Sequence, residues 1–576
     1  MNFDIAIQAH KITKKFENGK FGLYESTFEI PSGSLVAVLG PSGCGKSTLL
    51  KALNGDSPIS SGQVWLNGLE LNEKNYEYLK THIGYVPQDD IVHKELTVEQ
   101  SLKYAARLRL TSHTSKEINK KVDEVLITLG IEEIRKSKVG SISGGQRKRV
   151  SIAMEILTDP LILFLDEPTS PLDPQSIENF LLTLRKLADN GTTVIMVTHK
   201  PEDLSYMDKA IFMAEGGHFA YYGDTESYLD YFQVKNVVKV YSKLVGDNAK
   251  YWIEKYKTEN PSKLNIKNTN TINTTVVPTN YSQQYFWLTL RYFNIKLNDR
   301  VNFLILISQA PIIAILICAI FDSISQVVPF FLAISAIWFG TNNAAREIVS
   351  EKSIFKRERM FNQGIFTYIF SKLTVLGVIA TIQSAIFTWI IWYYFGDETP
   401  SWHNPKMTFI WMTSLTVSAT LMGLLLSALV SSTDKVMSII PLALIPQIML
   451  AGIIVKINNV FVELLSYLTL SRWGTVGFAK IQEDIAVPKP VIKSGTGILQ
   501  DGKFIQPIPE ISSTQDSTVN AVKEISKNFL ESSLGRFEIY NDSILLEFFA
   551  LGLLSLVFFI AIFLALKDKD SIAIHD

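Results

Sequence analysis

Cysteine is almost missing from this chain. Only Cys44 and Cys318 occur among 576 residues, which excludes a disulfide scaffold even for segments that face outward. An excess of one charge is missing too. The 55 Lys and Arg against 56 Asp and Glu leave a net charge of -1, so global charge makes no case for a nucleic-acid partner. The opening MNFDIAIQAHKITKKF holds no long apolar stretch, so no signal peptide is expected and the first half should stay in the cytoplasm. Long apolar runs are absent from residues 1–285 and frequent after them, across 301–455 and again at roughly 545–566. A chain of this length exceeds one core and should divide into several units.

The most informative segment present is Gly40-Pro41-Ser42-Gly43-Cys44-Gly45-Lys46-Ser47, followed by Thr48. It lies between the apolar runs Leu35 to Leu39 and Leu49 to Leu53, the strand, glycine-rich turn and helix start that a phosphate-binding loop needs. Backbone N–H groups around the glycines can face phosphates, Lys46 can reach the β- and γ-phosphates, and Ser47 can hold Mg²⁺. An ordinary glycine-rich turn is the bland alternative. A second apolar run, Leu161 to Leu165, ends in Asp166-Glu167-Pro168-Thr169. At a strand end Asp166 can bind Mg²⁺, directly or through water, and Glu167 can polarise a water that attacks the γ-phosphate. Alone, both carboxylates read as helix-start caps; beside a phosphate loop the chemical reading outweighs that one.

Gln88 closes another strand and can sense Mg²⁺ or the γ-phosphate. His199 follows the strand Thr193 to Val197, at the carboxyl edge of a mostly parallel sheet where ligands bind. Ser143-Gly144-Gly145-Gln146 opens a helix, and a hydroxyl with two glycine amides at a helix start makes an anion site. One loop already holds the nucleotide, so this second site makes sense over the γ-phosphate of another subunit.

Together these motifs resemble the ATPase domain of an ABC transporter. The resemblance assigns Gln88 to the Q-loop, Ile142 to Gln146 to the signature motif, Glu167 to the catalytic glutamate, Ser170-Pro171-Leu172-Asp173 to the D-loop, and His199 to the switch histidine. Phe16 resembles the aromatic that stacks on adenine. Ile142 stands where Leu is usual and Pro171 where Gly is usual. No catalytic position is lost, so the resemblance implies that Lys46, Glu167 and His199 serve hydrolysis of ATP with Mg²⁺ at both sites of a homodimer, a heterodimer being the alternative.

Residues 226–258 suit short amphipathic helices, and 259–281 read as a polar flexible linker. Tyr285 to Phe293 reads as a helix at the headgroup level of a membrane, with a buried helix as the alternative. Six apolar segments are long enough to cross a bilayer, at about 302–320, 326–345, 368–395, 407–430, 436–455 and 545–566. Their even number places both ends on one side, in agreement with Lys352, Lys356, Arg357, Arg359, Lys372, Lys435, Lys567 and Lys569 near cytoplasmic ends. The charged segment Arg346 to Met360 suits a coupling elbow, in which Glu351 and Phe355 share a helical face. Arg346-Glu347-Ile348, Glu351, Ile354-Phe355 and Arg357-Glu358-Arg359 resemble the intracellular segment of the G (White/PDR-like) subfamily of half-transporters.

The expected fold is therefore an α/β P-loop ABC ATPase domain (1–225), a connector (226–300) and an all-α six-helix transmembrane domain (301–576) with an outward loop at about 456–544. The resemblance implies ATP-driven export or flipping of a lipid-like or amphipathic substrate across the plasma membrane, with both termini cytoplasmic. An ATP-driven membrane machine that signals or extracts is the alternative. Trp338, Phe339, Asn342, Met449 and Ile453 are candidates for lining a central cavity.

Overall fold

Three of the described strands are buried from end to end and almost wholly apolar, as strands covered on both faces are. In the computed structural model, which describes residues 4–169, 174–259, 280–321, 327–395, 405–451, 459–483, 499–500, 503–504 and 544–569, these are β3 (Leu35–Leu39), β7 (Ile162–Asp166) and β8 (Thr193–Val197). With β6 (Ile83–Val86), β9 (Lys209–Ala214) and β10 (His218–Asp224) they form one sheet in the order β10-β9-β3-β8-β7-β6. All neighbours are parallel except β9 and β10. A second, antiparallel sheet has the order β2-β1-β4-β5, from β1 (Ile5–Lys15), β2 (Phe21–Pro31), β4 (Ser61–Leu66) and β5 (Leu69–Glu70).

Alternation along the parallel strands builds two cores. Leu35, Ala37, Leu39, Leu163, Leu165, Val194 and Met196 face one way. They meet apolar residues of α3 (Val98–Arg109), α4 (Ser115–Leu129), α5 (Gly144–Ile156) and α6 (Pro174–Asp189). Val36, Val38, Ile162, Phe164, Ile195 and Val197 face the other way. These meet α1 (Lys46–Asn54), Leu79 of α2 (Glu73–Leu79) and the antiparallel sheet. Each side chain so buried contributes about 1.5–3 kcal/mol, and a one-residue slip of any strand would exchange the two faces. Capping boxes fix the starts of α3, α4 and α5 through Thr97, Thr114 and Ser143.

The connector carries α7 (Tyr228–Tyr231), α8 (Val238–Lys243) and α9 (Asp247–Glu259), whose Phe232, Leu244 and Trp252 are buried. Most of the expected linker lies outside the described residues. Next comes α10 (Tyr281–Asn298). One face of it is packed against the ATPase region, while Phe286 and Phe293 are exposed. Leu288, Arg291 and Tyr292 are buried, Asn294 donates to the Tyr104 hydroxyl of α3, and the Arg107 guanidinium lies over the Trp287 ring.

By contacts the chain divides into two units. The first is 1–298 with 353–367 and 569–576; the second is 299–352 with 368–568. The second contains α11 (Arg300–Ile320) and α12 (Val328–Ala344). After α13 (Lys352–Arg359) follow α14 (Ile365–Phe395), α15 (Pro405–Leu429), α16 (Thr433–Met449), α17 (Val460–Ser466), α18 (Leu470–Glu483) and α19 (Leu545–Lys569). Four of them, α11, α14, α15 and α19, are long and apolar enough to cross a membrane. The other two expected spans are the 17-residue α12 and α16. α16 ends short of the expected 455, with Pro446 in its last turn. Small residues let α12 and α15 touch: a Cβ on Gly340 would lie 2.2 Å from the Thr416 carbonyl oxygen, and one on Gly423 2.7 Å from that of Thr341.

Buried amide side chains inside this unit bond to one another and to the backbone. The Asn343 amide donates to Gln383 at 2.6 Å, Gln383 to the Leu306 carbonyl at 2.7 Å, and Ser471 N–H to Gln447 at 3.0 Å. Phe339 is fully buried against Phe387 and does not line an open surface of the chain, whereas Trp338 and Met449 are exposed. Ile453 and most of the outward loop lie outside the described residues.

Candidate functional site

Strand order decides what can meet. β3, β8, β7 and β6 are consecutive and parallel, so the loops after them emerge in a row at one edge, where open α/β sheets bind ligands. Those four loops carry the Gly40 segment, His199, Asp166 with Glu167, and Gln88.

After β3 the chain turns through Gly40, Gly43 and Gly45, all at positive φ. A Cβ on Gly40 would lie 2.4 Å from the Met213 carbonyl oxygen, and one on Gly45 2.2 Å from that of Gly22. Neither position tolerates a side chain. At Gly43 a Cβ would meet nothing within 4 Å, so the crest of the loop, with Pro41 and the exposed Ser42, has room in front of it. Cys44 turns its side chain into the core, and burial pushes its thiol pKa up. Only its backbone is left for a ligand. Lys46 Nζ bonds the carbonyls of Gly40 and Pro41, each at 3.0 Å, which holds a positive charge at the loop. Phe16 lies across Gly22. A Cβ there would fall 2.6 Å from the Phe16 ring and 2.9 Å from Thr48 Cγ2, so the ring, partly exposed, borders the same loop.

The Ser47 hydroxyl donates to Asp166 Oδ1 at 3.1 Å, although 119 residues separate them. Burial pushes the Asp166 carboxyl up and the Ser47 bond opposes that. Hydroxyl, carboxylate and the nearby Gln88 amide are oxygen donors of the kind a phosphate-bound Mg²⁺ takes. The residues present therefore fit a nucleotide with its metal. Glu167 follows at φ 49, left-handed and unusual for a residue with a side chain. Its carboxylate takes Gln88 Nε2 at 3.1 Å on one oxygen and meets His199 Nε2 at 2.6 Å on the other. Three loops thus converge on one carboxylate.

Ser143 caps α5 with a reciprocal bond: its Oγ accepts Gln146 N–H at 3.2 Å and its N–H donates to Gln146 Oε1 at 3.1 Å. At this helix start the first-turn amides of Gly144 and Gly145 lack an intrahelical acceptor, as in anion sites. No described contact joins them to the Gly40 loop. Ile142 is buried in the core. Pro171 and its neighbours lie outside the described residues. Sequence reasoning missed Lys148, the middle of three successive basic residues on α5. Its buried Nζ bonds the carbonyls of Pro87 and Gln88 at 3.2 and 2.7 Å and pairs with Asp90 at 3.0 Å, so α5 holds the segment that carries Gln88. A basic residue on the buried face of an amphipathic helix was the available signal.

Comparison with known proteins agrees with this geometry. The ABC transporter family model matches residues 23–170, and the ABC-2 type transporter model matches residues 283–482. An ABC transporter ATP-binding/permease protein of Mycobacterium tuberculosis is 31% identical over 490 residues, 80% of this chain and 56% of that protein. ABC transporter G family member 28 of Arabidopsis thaliana is 39% identical over 245 residues, 41% of this chain and 22% of its own length. A broad substrate specificity ATP-binding cassette transporter of Bos taurus is 28% identical over 515 residues, 76% of this chain and 77% of that one. The match thus spans about half of the mycobacterial protein and under a quarter of the plant one. The chain thus carries an ABC transporter ATPase domain followed by an ABC-2 type transporter membrane domain, and it is related to ABC transporters of the G family.

Proposed function

We propose that two copies of this chain form one machine that hydrolyses ATP to export or flip a lipid-like or amphipathic molecule across the plasma membrane. The observation that carries this reading is the meeting of Gln88, Glu167 and His199 beside the Gly40–Thr48 loop. ATP lies between that loop of one copy and Ser143 to Gln146 of the other, with Phe16 against the base. Lys46 and the loop amides hold the phosphates, while Ser47, Asp166 and Gln88 hold Mg²⁺, which when bound offsets phosphate charge. Glu167 aligns a water with the γ-phosphorus and accepts its proton as the bond to ADP breaks. His199 keeps the Glu167 carboxylate in place and donates to the γ-phosphate.

The helices α11, α12, α14, α15, α16 and α19 serve as six spans with both chain ends in the cytoplasm. Satisfied amides inside the membrane unit, such as Asn343 with Gln383, hold helices together and offer a sugar or an ion little to bind, which favours an apolar cargo. The elbow enters the first unit at Ser353 and leaves it at Thr367, so the chain itself carries closure of the ATPase domains to the spans on either side. Purified protein in liposomes tests this. ATP turnover should rise with the cargo lipid, and a labelled lipid should change leaflet with wild-type protein but not with Glu167→Gln. Turnover with no lipid movement in any composition contradicts the transport reading.

A further inference from the structure

Glu167 sits in a backbone conformation that costs about 1–3 kcal/mol and persists only where neighbours over-determine it. On its N-terminal side the β7 ladder and the Ser47–Asp166 bond do this. On its C-terminal side the chain runs through Pro168 to Thr169, which is buried. The Thr169 hydroxyl donates to Asp203 Oδ2 at 3.3 Å, and its carbonyl accepts from Lys200 Nζ at 3.1 Å. The same Asp203 oxygen takes the hydroxyl of Thr198, and the Thr198 oxygen in turn accepts the Lys200 N–H at 3.0 Å. Thr198 and Lys200 are the two neighbours of His199. One carboxylate oxygen therefore ties the segment after Glu167 to both sides of His199.

Asp203 stands on a short 3-10 turn, Pro201–Tyr206, and is 1% exposed. A carboxylate without solvent is costly unless hydrogen-bonded, and an apolar residue would fill the position at lower cost. Its two hydroxyl partners supply the compensation, and both belong to the loops that deliver Glu167 and His199.

We propose that Asp203 is a positioning residue, which clamps the Glu167 loop to the His199 loop and so sets the distance between their side chains. This rests on the hydrolytic role given to both residues above. The clamp touches neither the Gly40–Thr48 loop nor Phe16 in any described contact, so it governs the rate of hydrolysis and leaves nucleotide affinity nearly alone.

The test is steady-state ATP turnover of the full-length protein in liposomes, with nucleotide binding measured separately by a fluorescent ATP analogue. Asp203→Ala should lower kcat about ten- to a hundredfold, the scale of a small misplacement of reacting groups, with KM for ATP within about twofold. Asp203→Asn should recover most of the rate, because its amide oxygen can accept both hydroxyls. Thr169→Val, nearly isosteric, should reproduce part of the loss in protein that still binds the analogue, which keeps the test open if Asp203→Ala fails to fold. Adding Thr169→Val to Asp203→Ala should cost little more, since both break the same bonds. Wild-type kcat in both Asp203→Ala and Thr169→Val overturns the clamp. So does a loss that Asn does not recover, or one that appears in KM and analogue binding alone. If Glu167→Gln and His199→Ala keep full turnover, the hydrolytic reading fails. If those two lose turnover while Asp203→Ala and Thr169→Val keep it, only the clamp fails.

Discussion

Replacing Glu155 with Ala should destabilise the first unit more than almost any other single change to a charged side chain in it. Glu155 lies in the last turn of α5 and is 1% exposed. Its carboxylate receives Arg109 Nη2 at 2.9 Å, approaches Arg357 Nε at 3.5 Å, and takes the Tyr85 N–H at 3.4 Å. Burial holds the Arg357 pKa below the usual arginine range, with Glu155 the main opposing charge. Without Glu155, Arg109 and Arg357 face each other inside the protein with one less counter-charge. Breaking one side of a buried ion pair costs about 3–5 kcal/mol. Unfolding entropy of about 2.1 cal/mol/K per residue gives roughly 0.6 kcal/mol/K for a unit of this size, so Tm should fall by about 5–8 °C. Thermal unfolding of the full-length protein in detergent, at one fixed scan rate, measures this. Glu155→Gln keeps an acceptor and should fall between the two. ATP turnover should drop as well, since the Tyr85 bond anchors the strand that leads to Gln88. A Tm within about 1 °C of wild type would refute the reasoning.

Gly45→Ala places a methyl 2.2 Å from the Gly22 carbonyl oxygen at φ 101; affinity for a non-hydrolysable ATP analogue should fall by about a hundredfold or more in a fluorescence titration. Gly340→Val forces α12 from α15 at the Thr416 contact and should cost about 1–3 kcal/mol or more, seen as a lower Tm and loss of a monodisperse peak on size-exclusion chromatography. Bonds from Arg135 and Lys103 lower the Glu99 carboxyl from its ordinary 4.5 to about 2. Its contribution is thus present above pH 4.5 and lost as pH falls toward 2, so denaturant titrations should separate wild type from Glu99→Gln at pH 6 and show the two converging at low pH.

The nucleotide loop was legible because its chemistry is local. Glycine spacing, an apolar strand before and a helix after specify the backbone of residues 40–48 with little help from elsewhere. Asp166, Glu167, Gln88 and His199 were legible for a related reason: each follows a buried strand, and strand ends are where such sheets bind. What the sequence does not print is pairing across distance. Lys148 with the Gln88 carbonyl and Asp203 with Thr169 depend on which strands are neighbours, and a basic or acidic residue in a polar segment reads as solvated until that order is known. The same gap hides a partner of α10. Its aromatic and basic residues suit a headgroup layer, yet Arg291 pairs with Glu358, 67 positions away. In the membrane unit apolar runs mark where helices can be. They do not tell Phe339, packed on Phe387, from exposed Trp338, because both faces of such a helix are apolar.

Whether one ATP needs two copies is decided by pairing disabled subunits. Lys46→Ala disables a phosphate loop, and Ser143→Arg disables the anion site offered to the other copy. Heterodimers purified on two different tags should keep about one working site of two when each copy carries one of these changes. They should have none when one copy carries both changes and its partner is wild type. The opposite pattern, turnover with both changes on one copy and none when they are divided, would mean that each chain completes its own site and would contradict the shared nucleotide.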